Sequence, residues 1–295
     1  MTLNFEAINF EEASIDKWIQ FAMEKRVEIL ELEFLAETIA FLGEAVEFLL
    51  SNCPVLERLS LSFAGDLVSL RVVDFHFKNV PMLVEVSISK FGVLAEFLRG
   101  VFSRLSCQLF HIEIPKLDIR GAVYHQNYKF PVLSNLKHLE LLVDADYCLS
   151  LVHLASFMNA APNLQKLVFG LGFGSNAEMA KIEKAALCPH HNLKIVEMTG
   201  YRGHKCRVKH VKYLMKNNVA LEKIVINHVQ FWCWPTGIES NALRENEEEN
   251  ARDNAIQYLK EKVPSTVELY ACNSNLSLQC SACQDDISRV CTSVN

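Results

Sequence analysis

The chain has 295 residues, half of them hydrophobic, with 35 acidic against 29 basic residues and a net charge of −6. That much apolar material can build a core, and the acidic balance excludes a global attraction to nucleic acid or anionic lipid. No apolar stretch approaches the roughly 20 residues of a membrane helix, and ten scattered cysteines without a secretory pattern in MTLNFEAINF read as free thiols of a soluble protein in the cytosol or nucleus.

Residues 1–26 bring Phe5, Phe10, Trp18 and Phe21 ahead of the first patterned segment and are expected to form an N-terminal cap. From Val27 the pattern LxxLxL, with Val, Ile, Met or Phe allowed at the apolar places, recurs at Leu56, Leu83, Leu109, Leu136, Leu164, Leu193 and Leu221. The spacings are 29, 27, 26, 27, 28, 29 and 28 residues, the mark of a leucine-rich-repeat solenoid over 27–230. The fourth and sixth places are two apart, as on the buried face of a short strand. Each repeat therefore predicts one strand of a parallel concave β-sheet in an α/β horseshoe, with helical or extended segments on the convex side.

Five return segments carry helical spacing: TIAFLGEAVEFLLSN, GVLAEFLRGVFSRL, LSLVHLASFMNA, AEMAKIEKAAL and VKHVKYLMKNN. In the last, Val208, Val211 and Leu214 predict the buried face, and Lys209, Lys212 and Lys216 the wet one. GDLVSLRVVDFHFKN and PKLDIRGAVYHQNYKF alternate instead and predict extended returns. LVSLRV at Leu67 adds a match too soon for a full repeat and suggests a shortened or lost one. Pro54, Pro81, Pro162 and Pro189 stand before strands and punctuate the turns into them. Residues 231–271, with the acidic ENEEEN, the helix-like ARDNAIQYLKEK and the strand-like VPSTVELYA, predict a C-terminal cap. The polar, patternless stretch 272–295 predicts a disordered tail.

Several clusters invite chemistry and have a plainer reading. Cys188, His190, His191, His204, Cys206 and His210 include residue types that bind zinc, but CPHHN matches the turn CPVLE of the second repeat, where such a residue packs beneath the sheet. Cys280 and Cys283 form a single CxxC with no second pair to complete a site. The basic run YRGHKCRVKHVKYLMK, with Tyr201 and Tyr213 for stacking, could touch phosphates, yet its later part reads as a solvated helix face. GLGFG at Gly170 lacks the full dinucleotide and phosphate-loop patterns and predicts a turn. With neither GxSxG nor HExxH present, no enzyme, cofactor or metal is expected.

Side chains between the apolar places should line the concave face. The third and fifth places are Ile29 and Glu31, Arg58 and Ser60, Glu85 and Ser87, His111 and Glu113, His138 and Glu140, Lys166 and Val168, Ile195 and Glu197, and Lys223 and Val225. Arg58, Glu85, His111, Glu113, His138, Glu140, Lys166, Glu197 and Lys223 are the candidate protein-binding residues, and the acidic centre predicts a basic segment on the partner.

The segments SNCPVLERLSL, LVSLRVV, NVPMLVEVSIS, FPVLSNLKHLELLV, CPHHNLKIVEMTGY and ALEKIVI resemble the repeat region of plant F-box/LRR proteins. The run from ALEKIVI to ENARDNAIQYLKEKVPSTVELY is similar to the FBD-like ending of that group, and the likeness covers roughly residues 15–271. The resemblance implies substrate recognition for a cullin-RING (SCF) ubiquitin ligase, in which an N-terminal F-box binds the Skp-type subunit and the repeats bind the protein to be ubiquitinated. No F-box is visible before SIDKWIQFAMEKRVEILELEF, so Skp-type and cullin partners are expected only for a longer form. Resemblance to other plant F-box/LRR proteins also implies an alternative, a receptor binding a small molecule together with a protein partner.

Overall fold

The computed structural model describes residues 2–7, 26–34, 51–63, 80–90, 112–118, 130–143, 151–171, 189–201, 205–227, 257–272 and 291–293, with Gln20, Phe21, Glu24, Ser103, Asn250 and Asp253. By internal contacts the chain divides into Met1–Glu140 with Ser156–Pro162, and Leu141–Ala155 with Asn163–Asn295. Both units are built from parallel strands that follow one another in chain order, the α/β solenoid that the repeat period predicts.

The first unit holds β1 (Thr2–Ala7), β2 (Ile29–Phe34), β3 (Arg58–Phe63), β4 (Glu85–Lys90), β5 (Ile114–Asp118) and the first half of β6 (His138–Val143). Adjacent strands from β1 to β5 pair in parallel, with Ile29, Arg58, Glu85 and Ile114 in register. Alternation decides the faces. Leu30, Leu59, Leu61, Val86, Ile88 and Leu117 are buried, while Ile29, Ser60, Glu85, Ser87, Ile114 and Lys116 between them are part-exposed. β1 lies within the stretch expected to cap the repeats and adds a strand to the sheet by pairing with β2.

The second unit holds the end of β6, then β7 (Lys166–Leu171), β8 (Ile195–Thr199), β9 (Lys223–Asn227), β10 (Glu268–Cys272) and β11 (Cys291–Ser293). β7 to β10 are parallel, with Lys166, Ile195, Lys223 and Glu268 in register, and β11 runs antiparallel to β10. β11 falls within 272–295, and the stretch between β10 and β11 lies outside the described residues.

A backbone ladder ties consecutive repeats at the place before each strand. The carbonyl of Glu28 accepts from the N–H of Glu57 and Arg58, that of Glu57 from Val84 and Glu85, and that of Val84 from Glu113 and Ile114. In the second unit the carbonyls of Gln165 and Lys194 do the same for the next repeat. One carbonyl has two lone pairs, so a single acceptor satisfies two donors and holds the stacking distance.

Two helices are described along their whole length, and residues 257–260 are helical as well. α1 (Leu151–Ala160) buries Leu154, Phe157 and Met158, and Phe157 stacks on Phe130 with ring centroids 4.6 Å apart. α2 (Lys205–Asn217) buries His210, Val211, Tyr213 and Leu214 and leaves Lys209, Lys212 and Lys216 in water, the division expected for all but Val208, which is part-exposed. The predicted helix 177–187, the predicted helix 92–105 apart from Ser103, nearly all of 38–52 and the extended return 65–79 lie outside the described residues.

The structure corrects the sequence at two points. The fourth repeat begins at Ile112, three residues after Leu109, because Ile114 and not His111 stands beside Glu85. PKLD, read as the start of an extended return, is the strand itself. Pro115 hid this, since proline within a strand ordinarily argues against one. Here Pro115 takes the buried fourth place beside Val86. The second correction is GLGFG, whose first two residues end β7 instead of forming a turn. A Cβ on Gly170 would come within 2.9 Å of Leu142 Cδ1 and 3.2 Å of Thr199 Oγ1, so close packing between strands accounts for this glycine. The turn function belongs to Gly200, whose φ of 68° follows β8 directly.

Candidate protein-binding face

Each strand from β3 to β5 keeps its fourth and sixth places in the core, as β2 does its fourth, Leu30, which leaves the third and fifth places on the opposite, solvent side. In the first unit these places carry a continuous ion-pair network. Arg58 and Glu85 are register partners on neighbouring strands, with Nε 3.7 Å from Oε2. Glu85 Oε1 lies 2.8 Å from Lys116 Nζ on β5, and Lys116 lies 3.5 Å from Glu140 Oε2 on β6. Glu140 Oε1 is in turn 3.2 Å from His138 Nε2, although the direction is unsuited to a hydrogen bond. Ser60 and Ser87, short and in register, occupy the fifth places between the charges.

Lys116 is the centre of this row. Burial alone would push its ammonium down, but the charge of Glu140 and the hydrogen bond and charge of Glu85 outweigh that and hold its pKa above the ordinary lysine value. An exposed pair contributes about 0.2–1 kcal/mol. The network's consequence is therefore chiefly positional, since each long side chain is held in place by a neighbour of opposite charge.

This placement changes the expected charge pattern. Glu113 is not at a fifth place; it precedes β5, exposed, and pairs with Lys137 at 3.2 Å on the strand-entry edge. His111 lies outside the described residues. A cation, Lys116, stands where an acid was expected, so the row alternates in sign and has no acidic centre. Lys116 was legible in the sequence only once the repeat was started at Ile112. Of the expected residues, Arg58, Glu85, His138 and Glu140 are brought together with Lys116 in the first unit.

In the second unit Lys166 is 3.5 Å from Glu197, and Lys223 is 3.9 Å from Glu268 and 4.9 Å from the centre of the Tyr270 ring. The Tyr270 hydroxyl donates to Glu268 Oε2 at 3.0 Å, and this bond is the main cause that raises its pKa. Val225 and Asn227 on β9 are each only 1% exposed although they occupy solvent-side places. The face is therefore covered at β9. Lys194 and Glu222 form an edge pair at 2.8 Å, the counterpart of Lys137 with Glu113.

His190, one of the residues that suggested metal, is buried three places before Leu193, where Cys53, Val80 and Leu133 stand in other repeats. Burial pushes the Cys53 thiol up. The His190 Nδ1 accepts from the backbone N–H of Leu193 at 3.1 Å. His191 is exposed, and His210 packs on Phe169 with ring centroids 5.7 Å apart. Among the described residues no three His, Cys, Asp or Glu side chains converge on a metal-sized site. Cys188, His204, Cys280 and Cys283 lie outside those residues. No described helix is long and apolar enough to cross a membrane.

The family model of the At1g61320/AtMIF1 LRR domain matches residues 104–274, more than half of the chain. No curated protein matches it.

Proposed function

The chain belongs to the At1g61320/AtMIF1 LRR-domain family, and from that premise we propose that it is a non-enzymatic module that recognises a protein partner on the solvent face of its repeat sheet. The observation that carries this reading is the row Arg58, Glu85, Lys116 and Glu140, whose members bridge one another across four strands. Such a row offers donors and acceptors in fixed order beside Ser60 and Ser87, whose short side chains leave room on β3 and β4 for a partner's backbone. Alternating sign selects a partner that carries both charges in complementary order. The basic segment anticipated for an acidic centre is replaced by this mixed pattern, because Lys116 stands between the two glutamates.

We further infer that the recognised protein is a ubiquitination substrate and that the module serves a cullin-RING ligase in the cytosol or nucleus. Support comes from the resemblance of SNCPVLERLSL, FPVLSNLKHLELLV and the 221–271 run to plant F-box/LRR proteins with an FBD-like ending. Docking to Skp-type and cullin subunits is assigned to a form that carries an F-box.

Affinity purification with mass spectrometry separates these two levels. The native chain should capture a reproducible partner, and Lys116→Glu should reduce its recovery by about tenfold, the equivalent of roughly 1.4 kcal/mol. Equal recovery by Lys116→Glu and Glu85→Lys would remove the sheet face from consideration. If an F-box-bearing form captures the partner but no Skp-type or cullin subunit, the ligase assignment fails and the interaction module stands.

A further inference from the structure

α2 has the sequence KCRVKHVKYLMKN, with five basic residues and no acidic one, in a chain whose net charge is −6. Its apolar side is turned inward. His210, Val211, Tyr213 and Leu214 are buried, and His210 meets Phe169, which occupies the core-side sixth place of β7. The helix therefore packs against the core side of the second unit's strands, and its wet side points away from the solvent side of those strands.

On that wet side Lys209, Lys212 and Lys216 are all exposed. Their spacing of three and four places them in one stripe about 10 Å long at 1.5 Å per residue. The lysines on and beside the strands have acids next to them: Lys116, Lys137, Lys166, Lys194 and Lys223 each lie within 4 Å of a glutamate. Among the described residues none forms an ion pair with the three lysines of α2. Three adjacent cations with no counter-charge among the described residues raise the local potential and favour an anionic ligand.

We propose that this stripe is a second docking surface, which takes an acidic segment of a partner protein. Two other anionic partners fit less well. Tyr201 and Tyr213, the aromatic residues of the basic run, are buried, so no ring is presented for the base stacking that single-stranded nucleic acid requires. An interfacial helix must sink an apolar face into lipid, and the apolar face of α2 is already inside the protein. A helical or extended peptide with carboxylates at matching intervals needs neither.

Fluorescence anisotropy with the full chain tests this directly. The probe is a labelled peptide of about 14 residues with Glu at i, i+3 and i+7, to oppose the lysine stripe. A 20-nucleotide single-stranded RNA and phosphatidylserine vesicles serve as the other arms. The native chain should bind the peptide at low salt, and Lys209→Gln, Lys212→Gln, Lys216→Gln together should weaken binding by about tenfold, in line with three exposed ion pairs. Glutamine keeps helix propensity close to that of lysine, so circular dichroism should be unchanged, and Lys116→Glu should bind like the native chain. Absence of peptide binding, equal binding by the triple variant, or binding of RNA or vesicles in place of the peptide would each overturn the proposal.

Discussion

Replacing His190 with alanine should destabilise the second unit far more than an ordinary turn substitution. At the equivalent places in other repeats the backbone closes the turn unaided: the carbonyls of Cys53, Val80 and Leu133 accept from Leu56, Leu83 and Leu136 at 3.1, 3.2 and 3.2 Å. At His190 the ring takes over that task through Nδ1 and Leu193 N–H. Its own carbonyl is thereby released to accept from Val219 N–H at 3.1 Å, while its N–H donates to Asn217 at 2.6 Å. The side chain thus sustains a bridge to the next repeat. Alanine would take the Nδ1 acceptor from the buried N–H of Leu193, at about 1–3 kcal/mol for a buried donor, and lost ring packing brings the expected total to roughly 2–4 kcal/mol. Asparagine, whose side-chain oxygen can accept from a backbone N–H two residues on, should recover about 1 kcal/mol. Urea denaturation measures the loss, and amide hydrogen exchange at Leu193 and Val219 locates it. A change below about 1 kcal/mol with both amides still protected would refute the reasoning.

Leu59, buried at the fourth place of β3, should cost about 2–5 kcal/mol on truncation to alanine, and a loss below that range in urea would show that the site collapses around the cavity. Gly170→Val places a branched side chain where a Cβ already meets Leu142 and Thr199; a destabilisation of about 1–3 kcal/mol, measured as a lower thermal midpoint, is expected, and an unchanged midpoint would contradict the packing argument. Lys116 links stability to alkaline pH. Its folded pKa is raised, so its contribution is fully present below the unfolded value of about 10.4 and is lost as pH rises through the folded value. Urea midpoints should therefore fall less steeply above about pH 10.4 in Lys116→Met than in the native chain, and identical slopes would disprove the linkage.

Much of the fold is legible in the spacing of apolar residues. The period-2 step between Leu59 and Leu61 sets which face of β3 is buried whatever its neighbours are, and the alternation from Val208 to Lys216 does the same for α2. The turn before Leu193 is harder to read. His190 sits where Cys53 and Val80 sit, but its role depends on Val219 and Asn217 in the following repeat, and a string of nearby cysteines and histidines looks equally like a metal site. The candidate face was legible for Arg58, Glu85, His138 and Glu140 and misread at the repeat between them, because Pro115 disguises a strand.

Local periodicity was thus enough to establish repeats, parallel strands and the inward places, since those follow from the geometry of each segment alone. Tertiary structure decided how the strands line up and hence which charges meet. A three-residue shift at the fourth repeat, an odd number, exchanges the two faces: it turns Ile114 from core to solvent side and sets Lys116 between Glu85 and Glu140. Ion pairs across a sheet join residues about one repeat apart, and no window along the chain contains both partners until the register that brings them together is known.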